Sequence, residues 1–308
     1  MPDPQMPLRL SVDALKRLFA YDTQAALGLH TRAVWATAQA TVHDLVYASP
    51  KGGLVPALLV VPDGPGPFAG VIIQHGVAAD EAGVSLGRAL LLPYASYLAP
   101  TGAVCLLIEA PFARGTHAHR PAGPFTFTAQ DRDEQVQLII DLRRAVDILS
   151  ARPDVDVQRL AYIGWSYGAA IGGLLAAVEQ RINAYVLAVG SGGVVAHFTG
   201  TGAGSAAFRS LSPERQQAWQ VVMEPLEPLH YIEQARPAAL LFQAALHDQA
   251  VPIAEARAFQ QAGSVPKRII WYDAGHRLNA AAIRDQIAWL EQHVGIDANQ
   301  VDGTFSRA

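Results

Sequence analysis

Short apolar runs alternate with amphipathic stretches along most of the chain. Runs such as 69–74, 103–108 and 184–189 are typical of strands that are buried on both faces of a sheet. Longer stretches between the runs carry apolar residues three and four positions apart, which is the pattern of a helix with one buried face. This alternation predicts an α/β fold, with a mostly parallel central sheet and helices on both faces.

The same pattern places the individual elements. Strands are predicted over 41–48, 54–61, 69–74, 103–108, 160–163, 184–189, 238–243 and 268–272. Helices are predicted over 11–19, 82–98, 131–150, 169–178, 212–223, 253–262 and 280–293. The first two strands are joined by a Pro- and Gly-containing turn and are expected to be antiparallel. We therefore expect a helical extension at 1–40, one α/β domain at 41–294 and a polar tail at 295–308.

The regular alternation stops between residues 190 and 233. This segment is rich in glycine and serine, carries Pro225 and Pro228, and shows helical periodicity at 212–223. Long connections in compact domains are usually either functional or without fixed structure. The segment, called the insertion below, is therefore a candidate lid over a functional site. A disordered surface excursion is the alternative.

Composition favours a soluble chain with a large core. Of the 308 residues, 51% are hydrophobic, which is enough for one large domain or two modest ones. The formal net charge is −4, from 23 basic and 27 acidic residues, and neither sign forms a long run. Nucleic acids and membrane surfaces attract proteins through clustered charge, so the sequence predicts neither of them as a partner.

Cysteine usage and the first residues bear on the compartment. The single cysteine, Cys105, lies in an apolar run, so an intrachain disulfide is impossible and a buried thiol is expected. The chain does not begin with a basic stretch followed by an apolar one, and no apolar stretch is long enough to cross a bilayer. We therefore expect a cytoplasmic protein.

One pentapeptide carries the strongest chemical signal. Gly164-Trp165-Ser166-Tyr167-Gly168 follows a predicted strand and precedes a predicted helix. In this context the G-x-S-x-G pattern forms a sharp turn that strains the serine backbone and exposes its hydroxyl. A Cβ at either glycine would crowd the neighbouring strand or helix. Ser166 is therefore a candidate nucleophile.

A serine nucleophile needs a base, and the base needs an acid that orients it. Asp248 follows the strand predicted at 238–243, and His276 follows the strand predicted at 268–272. Both lie at the carboxyl ends of strands, the edge at which open α/β sheets bind their ligands. We therefore predict that Ser166, Asp248 and His276 act together.

The pentapeptide, the Asp-x-x-Val-Pro segment that begins at Asp248, and the Gly-His pair at His276 occur in the order Ser, Asp, His. This arrangement resembles the α/β-hydrolase superfamily. It is most similar to dienelactone-hydrolase-like esterases and to the catalytic domains of prolyl-oligopeptidase-type peptidases. The resemblance extends over most of the chain. It implies an α/β-hydrolase fold and hydrolysis without a dissociable cofactor.

The resemblance also supplies candidates for the two backbone N–H groups of an oxyanion hole. One donor is the residue after the nucleophile, Tyr167. The other donor belongs to His75-Gly76-Val77, which resembles the His-Gly turn of the family. By this resemblance the second donor is Val77. This chain lacks the longer glycine run of some lipases, so a neighbouring residue of that turn is the alternative.

Competing interpretations exist for several of these residues. Ser166 could be an ordinary helix cap, and Glu109 or Asp273 could supply the acid. Glu109 is instead expected to form structural hydrogen bonds near the site, and Asp273 would have to fold back on its own turn. His75 is expected to be structural, with a catalytic role or a place in the substrate pocket as the alternative. His247 is adjacent to Asp248 but is expected to point elsewhere.

A metal site is not predicted. His117 and His119 have the spacing of a metal-binding pair, but they lie in an irregular loop without an evident third ligand.

Apolar residues of the insertion and of the loop after Glu109 are candidates for a substrate pocket. They include Phe112, Phe198 and Trp219, while Arg114 or Arg120 could meet a substrate carboxylate. Packing within the insertion's own small core is the alternative.

Together these residues predict a serine hydrolase that cleaves small-molecule carboxylic esters through an acyl-enzyme. A peptidase is less expected, because no propeller-sized domain precedes the predicted sheet. Opening of a dienelactone ring, hydrolysis of a carbon–carbon bond and ligand binding by an inactive homologue are further alternatives. The sequence leaves open whether the chain forms a homodimer.

Overall fold

A mixed sheet lies at the centre of the molecule. The computed structural model describes residues 9–78, 85–115, 125–301 and 305, and within them the sheet has nine strands. The strands are β1 (His30–Ala36), β2 (Ala40–Ala48), β3 (Leu54–Pro62), β4 (Phe68–Gln74), β5 (Ala103–Ile108), β6 (Val155–Trp165), β7 (Ala184–Ala188), β8 (Ala239–Ala245) and β9 (Lys267–Tyr272).

Across the sheet the strands follow the order β1, β2, β3, β5, β4, β6, β7, β8, β9. The pairs β1–β2, β2–β3 and β3–β5 are antiparallel, and the remaining neighbours are parallel. The predicted α/β fold with a mostly parallel sheet is therefore confirmed, and so is its antiparallel start. Because β4, β6, β8 and β9 run in one direction, the loops after them meet at one edge of the sheet.

Helices cover both faces of the sheet. They are α1 (Val12–Leu18), α2 (Leu92–Leu98), α3 (Ala129–Ser150), α4 (Tyr167–Leu175), α5 (Val194–Thr199), α6 (Ser205–Arg209), α7 (Pro213–Met223), α8 (Ile253–Ala262) and α9 (Ala280–Val294). Helices α3, α4 and α8 pack on one face, and α2 and α9 pack on the other. None of the described helices is long and apolar enough to span a membrane.

Strand β5 shows how one apolar run serves two cores. All six of its residues are buried. Val104, Leu106 and Ile108 belong to the cluster under α3 and α4, whereas Cys105 and Leu107 belong to the cluster under α2 and α9. Successive side chains of a strand point to opposite faces, so a strand covered on both faces is apolar throughout. The predicted buried thiol of Cys105 is confirmed, and burial raises its pKa.

In the first third of the chain, two elements differ from the sequence-based prediction. Strand β1 was not predicted, because every one of its residues is exposed and the apolar pattern of a half-buried strand is missing. The sheet therefore begins within the segment 1–40. The helix predicted over 82–98 is shorter: a 3₁₀ turn at Gly87–Leu91 precedes α2, and residues 79–84 lie outside the described part of the chain.

The insertion is folded into the short helices α5, α6 and α7. The helix predicted at 212–223 is confirmed, with Pro213 in its first turn and the Ser212 hydroxyl accepting a hydrogen bond from the Arg215 N–H. The insertion forms a separate apolar core, to which Phe127 of the loop before α3 also contributes. The members of that core are Phe127, Val194, Val195, Phe198, Phe208, Trp219 and Met223.

A buried glutamate holds the first helix of the insertion. Glu227 is 4% exposed, and its Oε1 accepts a hydrogen bond from the Val195 N–H at 2.8 Å, at the start of α5. Burial raises the pKa of Glu227 to about 8, although the backbone N–H groups of α5 act in the opposite direction.

Candidate active site

Ser166 lies on the sharp turn between β6 and α4, as the pentapeptide predicts. Its φ and ψ are 55° and −117°, a region that residues with a side chain seldom adopt. The turn is anchored by the Ser166 N–H, which donates to the Ala188 carbonyl of β7 at 2.8 Å. The backbone around Ser166 is thus strained and held in place by the neighbouring strand.

Glycines make this turn possible by allowing close approach. A Cβ on Gly164 would lie 2.3 Å from the Gly168 carbonyl oxygen, and a Cβ on Gly168 would lie 2.4 Å from the Gln74 carbonyl oxygen. A Cβ on Gly76 would lie 2.7 Å from the Ser166 Cβ. The crowding expected at Gly164 and Gly168 is confirmed, and the turn that contains Gly76 packs directly against Ser166.

The structure brings Ser166, His276 and Asp248 together in one hydrogen-bonded row. The Ser166 Oγ lies 3.0 Å from the His276 Nε2. The His276 Nδ1 lies 2.9 Å from each carboxylate oxygen of Asp248. Since a carboxylate can only accept, Nδ1 carries the proton of the neutral ring, and Nε2 is free to accept the proton of the serine hydroxyl.

The surroundings of Asp248 keep its carboxylate ionised. Burial alone would raise its pKa, but hydrogen bonds from His276 and from the Val251 and Ala250 N–H groups outweigh that effect and lower it. Oδ1 accepts from the Ala250 and Val251 N–H groups at 2.8 and 2.9 Å. These bonds fix the carboxylate on the loop after β8, where it faces the imidazole.

Tyr167 and Val77, the candidate oxyanion donors, both lie near Ser166. Tyr167 is the first residue of α4, so its N–H has no acceptor within the helix. Val77 follows Gly76 in the turn that packs against Ser166, and both Val77 and Tyr167 line the cavity onto which Ser166 opens.

The competing acids and bases lie elsewhere. Asp273 pairs with His247 at 2.8 Å, and both side chains are largely exposed. Glu109 accepts from the backbone N–H and the guanidinium of Arg88. His75 is buried, its Nε2 lies 3.1 Å from the Ala110 N and 3.2 Å from the Glu109 Oε1, and its Nδ1 lies 2.7 Å from the Gly76 carbonyl oxygen. His75 thus supports the turn before Val77.

A cavity of about 330 Å³ opens beside Ser166 and His276. Its wall comes from the turn that contains Gly76 and Val77, from α4, from the loop before α3, from the insertion and from the loop after Asp248. The residues that line it are Val77, Phe125, Phe127, Ser166, Tyr167, Ala170, Ser191, Val194, His197, Phe198, Ala203, Gly204, Ala207, Ala250, Val251 and His276.

Of the five predicted pocket residues, only Phe198 lines this cavity. Phe112 packs against the Tyr167 ring, with centroids 5.8 Å apart and planes at 66°, and Arg114 forms an ion pair with Asp141 at 2.8 Å. Trp219 lies behind Phe198, within the core of the insertion. His75, as described above, faces the backbone. Apolar or charged character alone does not show which side of a loop faces this cavity.

Sequence reasoning missed His197. This residue lies on α5 and lines the cavity; its Nδ1 lies 2.8 Å from the Glu255 Oε2 and its Nε2 lies 3.1 Å from the Ala203 carbonyl oxygen. Glu255 belongs to α8, 58 positions further along the chain, so no local spacing signals the pair.

Metal ligands are not grouped in the described residues, which contain no cluster of three or more His, Cys, Asp or Glu side chains suited to a metal ion. The pair His117 and His119, and also Arg120, lie outside the described part of the chain.

Comparison with known proteins places this geometry in a family. A family model described as the prolyl oligopeptidase family matches residues 125–297, which is more than half of the chain and includes Ser166, Asp248 and His276. Among curated proteins, none matches the chain.

Solved structures share the fold over nearly the whole chain. The acetyl xylan esterase from Paenibacillus sp. R4 has a TM-score of 0.73 and 21% identity over 92% of this chain and 93% of that chain. Acetyl xylan esterase 1 from Thermoanaerobacterium sp. JW/SL YS485 has a TM-score of 0.73 and 17% identity, with coverage of 94% and 95%. A prolyl endopeptidase has a TM-score of 0.62 and 22% identity over 84% of this chain and 39% of that chain. At these identities the likeness shows the fold, that of the α/β hydrolases.

Proposed function

The chain belongs to the prolyl oligopeptidase family of α/β serine hydrolases, and on that premise we propose that it hydrolyses small carboxylic esters through an acyl-enzyme on Ser166. The observation that carries this proposal is the row from the Ser166 Oγ through His276 to Asp248, with distances of 3.0 and 2.9 Å. A nucleophile, a base and an orienting acid in this order are what acyl transfer requires. The two acetyl xylan esterases with this fold also favour an ester as the substrate.

The proposed reaction has two acyl-transfer steps. In the first, the Ser166 Oγ attacks the carbonyl carbon while the His276 Nε2 takes the hydroxyl proton, and a tetrahedral oxyanion forms. The oxyanion collapses, the bond to the alcohol oxygen breaks, and His276 gives its proton to that oxygen. In the second step, His276 takes a proton from water, the resulting hydroxide attacks the acyl-enzyme, and Ser166 recovers its proton as the acid departs.

Asp248 and two backbone amides support these steps. Asp248 holds His276 in the tautomer that accepts at Nε2, and its negative charge stabilises the imidazolium that forms. The N–H groups of Tyr167 and Val77 donate to the oxyanion, and each such donor is worth about 3 kcal/mol of the barrier. Burial of the Asp248 carboxylate, 4% exposed, strengthens its effect on the ring.

Covalent labelling tests the role of Ser166. A fluorophosphonate reacts with an activated serine, so we expect it to label the wild-type protein and to leave Ser166→Ala unlabelled. Ser191→Ala is the matched control, because Ser191 lines the same cavity but its Oγ lies 3.3 Å from the Gly193 carbonyl oxygen, to which it donates. This variant should still be labelled. A wild-type protein that resists the probe contradicts the proposal.

A peptidase is the second candidate, because the matching family is that of the prolyl oligopeptidases. Rates of hydrolysis of p-nitrophenyl esters of increasing acyl length, measured beside an aminoacyl anilide, separate the two. We expect the esters to be cleaved faster. If the wild-type protein cleaves the anilide faster than the esters, and Ser166→Ala loses both activities to the same extent, the protein is a peptidase rather than an esterase.

A further inference from the structure

We propose that the cavity beside Ser166 is a specificity pocket for a compact apolar group of the ester, an aromatic ring above all. We further propose that contacts of Asp131 and His197 fix its size. This inference rests on the proposed function and names the substrate class for the same site. It concerns the wall of the cavity rather than the reacting residues.

Most of the cavity wall is apolar. Phe125, Phe127, Val194, Phe198 and Val251 contribute to it, and no Lys, Arg, Asp or Glu side chain is found among the described residues that line it. A volume of about 330 Å³ is at the small end of ligand pockets in proteins. It suits one ring with a short linker and is too small for a length of polymer.

The aromatic side chains of the wall are already arranged edge to face. The ring centroids of Phe125 and Phe198 lie 4.7 Å apart with planes at 67°, and those of Phe127 and Phe198 lie 5.2 Å apart with planes at 87°. The ring centroids of Phe125 and Tyr167 lie 5.5 Å apart with planes at 86°. An aromatic ring of the substrate would continue this packing, and its binding would be stabilised more than that of an aliphatic chain of equal area.

Asp131 fixes the aromatic wall from behind. Its carboxylate is buried and accepts hydrogen bonds from the Thr126 N–H and hydroxyl, from the Phe127 N–H and from the Trp219 Nε1–H, all between 2.7 and 2.8 Å. These bonds hold Phe127 at a φ of 53°. They also tie the loop before α3 to α7, so the wall is formed before any ligand arrives.

His197 adjoins the aromatic wall, with its ring centroid 5.3 Å from that of Phe198. Its ring spans from Glu255 on α8 to the Ala203 carbonyl in the loop between α5 and α6. The Ala203 N–H donates to the Ala250 carbonyl at 2.9 Å, and the Ala250 N–H donates to Asp248. The insertion is therefore fastened to the loop that carries the acid. Both nitrogens of His197 lie against oxygen atoms of the protein, so the ring edge is turned to the protein rather than to a substrate.

Two neighbouring alanines of α6 provide a matched test. Ala206 and Ala207 are both exposed, but only Ala207 lines the cavity. The substrates are ethyl acetate, ethyl phenylacetate with the ring on the acyl side, and benzyl acetate with the ring on the alcohol side. In the wild-type protein we expect kcat/KM of a ring-bearing ester to exceed that of ethyl acetate by about 10-fold or more. Ala207→Phe should reduce this ratio by about 10-fold, and Ala206→Phe should preserve it.

The two ring-bearing esters also show on which side of the carbonyl the cavity lies, since the ring is accepted where the rate is higher. Equal kcat/KM for all three esters in the wild-type protein would overturn the inference, and so would an equal loss for all three in Ala207→Phe.

A second measurement needs no variant. Benzyl alcohol should slow the labelling of wild-type Ser166 by a fluorophosphonate at concentrations at which ethanol has no effect, because only the former fills the cavity. Labelling that is indifferent to benzyl alcohol overturns the pocket but leaves the proposed esterase intact. A protein that is not labelled at all overturns the proposed function itself.

Discussion

Gly168 occupies a position at which a single methyl group decides whether the nucleophile turn can form. A Cβ there would lie 2.4 Å from the Gln74 carbonyl oxygen, and backbone cannot move aside as a flexible side chain can. We expect Gly168→Ala to lower the free energy of unfolding by about 3 kcal/mol or more, measured by urea denaturation, and to abolish labelling of Ser166.

Gly275 is the control for this prediction. It directly precedes His276, but a Cβ there would lie 3.9 Å from the His247 carbonyl oxygen, which is ordinary contact. Gly275→Ala should therefore change the free energy of unfolding by less than about 1 kcal/mol. Equal losses in the two variants would show that the effect is a general one of removing glycine.

Residues differ in how well their role could be predicted from the sequence. Ser166, Asp248 and His276 each follow a predicted strand, so their meeting at one edge of the sheet could be predicted. Arg114 could not be placed in the same way, because its partner Asp141 lies on α3 and the ion pair depends on how that helix packs. A motif locates a residue along the chain, whereas packing determines which way its side chain faces.

At the scale of elements, Asp131 links the loop before α3 with α7. Asp131→Ala removes the acceptor of four hydrogen bonds, among them those from the buried Trp219 Nε1–H and the Phe127 N–H. We expect a loss of about 3 kcal/mol in the free energy of unfolding, because buried donors are left without partners. Asp133→Ala, on the exposed side of the same helix, should change it by less than about 0.5 kcal/mol. A small effect at Asp131 would show that water replaces the carboxylate.

Elements with a full apolar pattern could be predicted closely, and elements without one could not. Strand β5 has the bounds expected from its sequence, because burial on both faces requires an unbroken apolar run. Strand β1 is exposed throughout, and α5 and α6 are too short for a helical period to stand out. These three elements owe their structure to neighbours that the local sequence does not reveal.

At the scale of the whole molecule, Glu227 makes stability depend on pH. Its pKa is about 8 in the folded protein and about 4.5 in an ordinary exposed glutamate, so between those values the unfolded chain releases a proton that the folded protein keeps. The unfolded state then binds fewer protons, and the free energy of unfolding falls as the pH rises from about 5 to about 8.

Glu227→Gln removes this contribution while its amide oxygen can still accept from Val195. The decline in the free energy of unfolding from pH 5 to pH 8 should be about 3 kcal/mol smaller than in the wild-type protein. Glu214 is exposed, and its own hydrogen bonds lower its pKa, so it is ionised in both states over this range. The free energy of unfolding of Glu214→Gln should therefore fall with pH as that of the wild-type protein does. If the free energy of unfolding fell equally with pH in Glu227→Gln and in the wild-type protein, the raised pKa of Glu227 would be contradicted.

The spread of the reacting residues along the chain has a consequence for how the protein matures. Ser166 and His276 are 110 positions apart, and His276 follows β9, which forms one edge of the sheet. Contact between such distant segments has to close a long loop, which costs entropy before any contact offsets it. A chain that has not yet docked β9 therefore has a serine without its base. Without that base the Ser166 hydroxyl is a weak nucleophile, so the proposed activity requires a complete sheet.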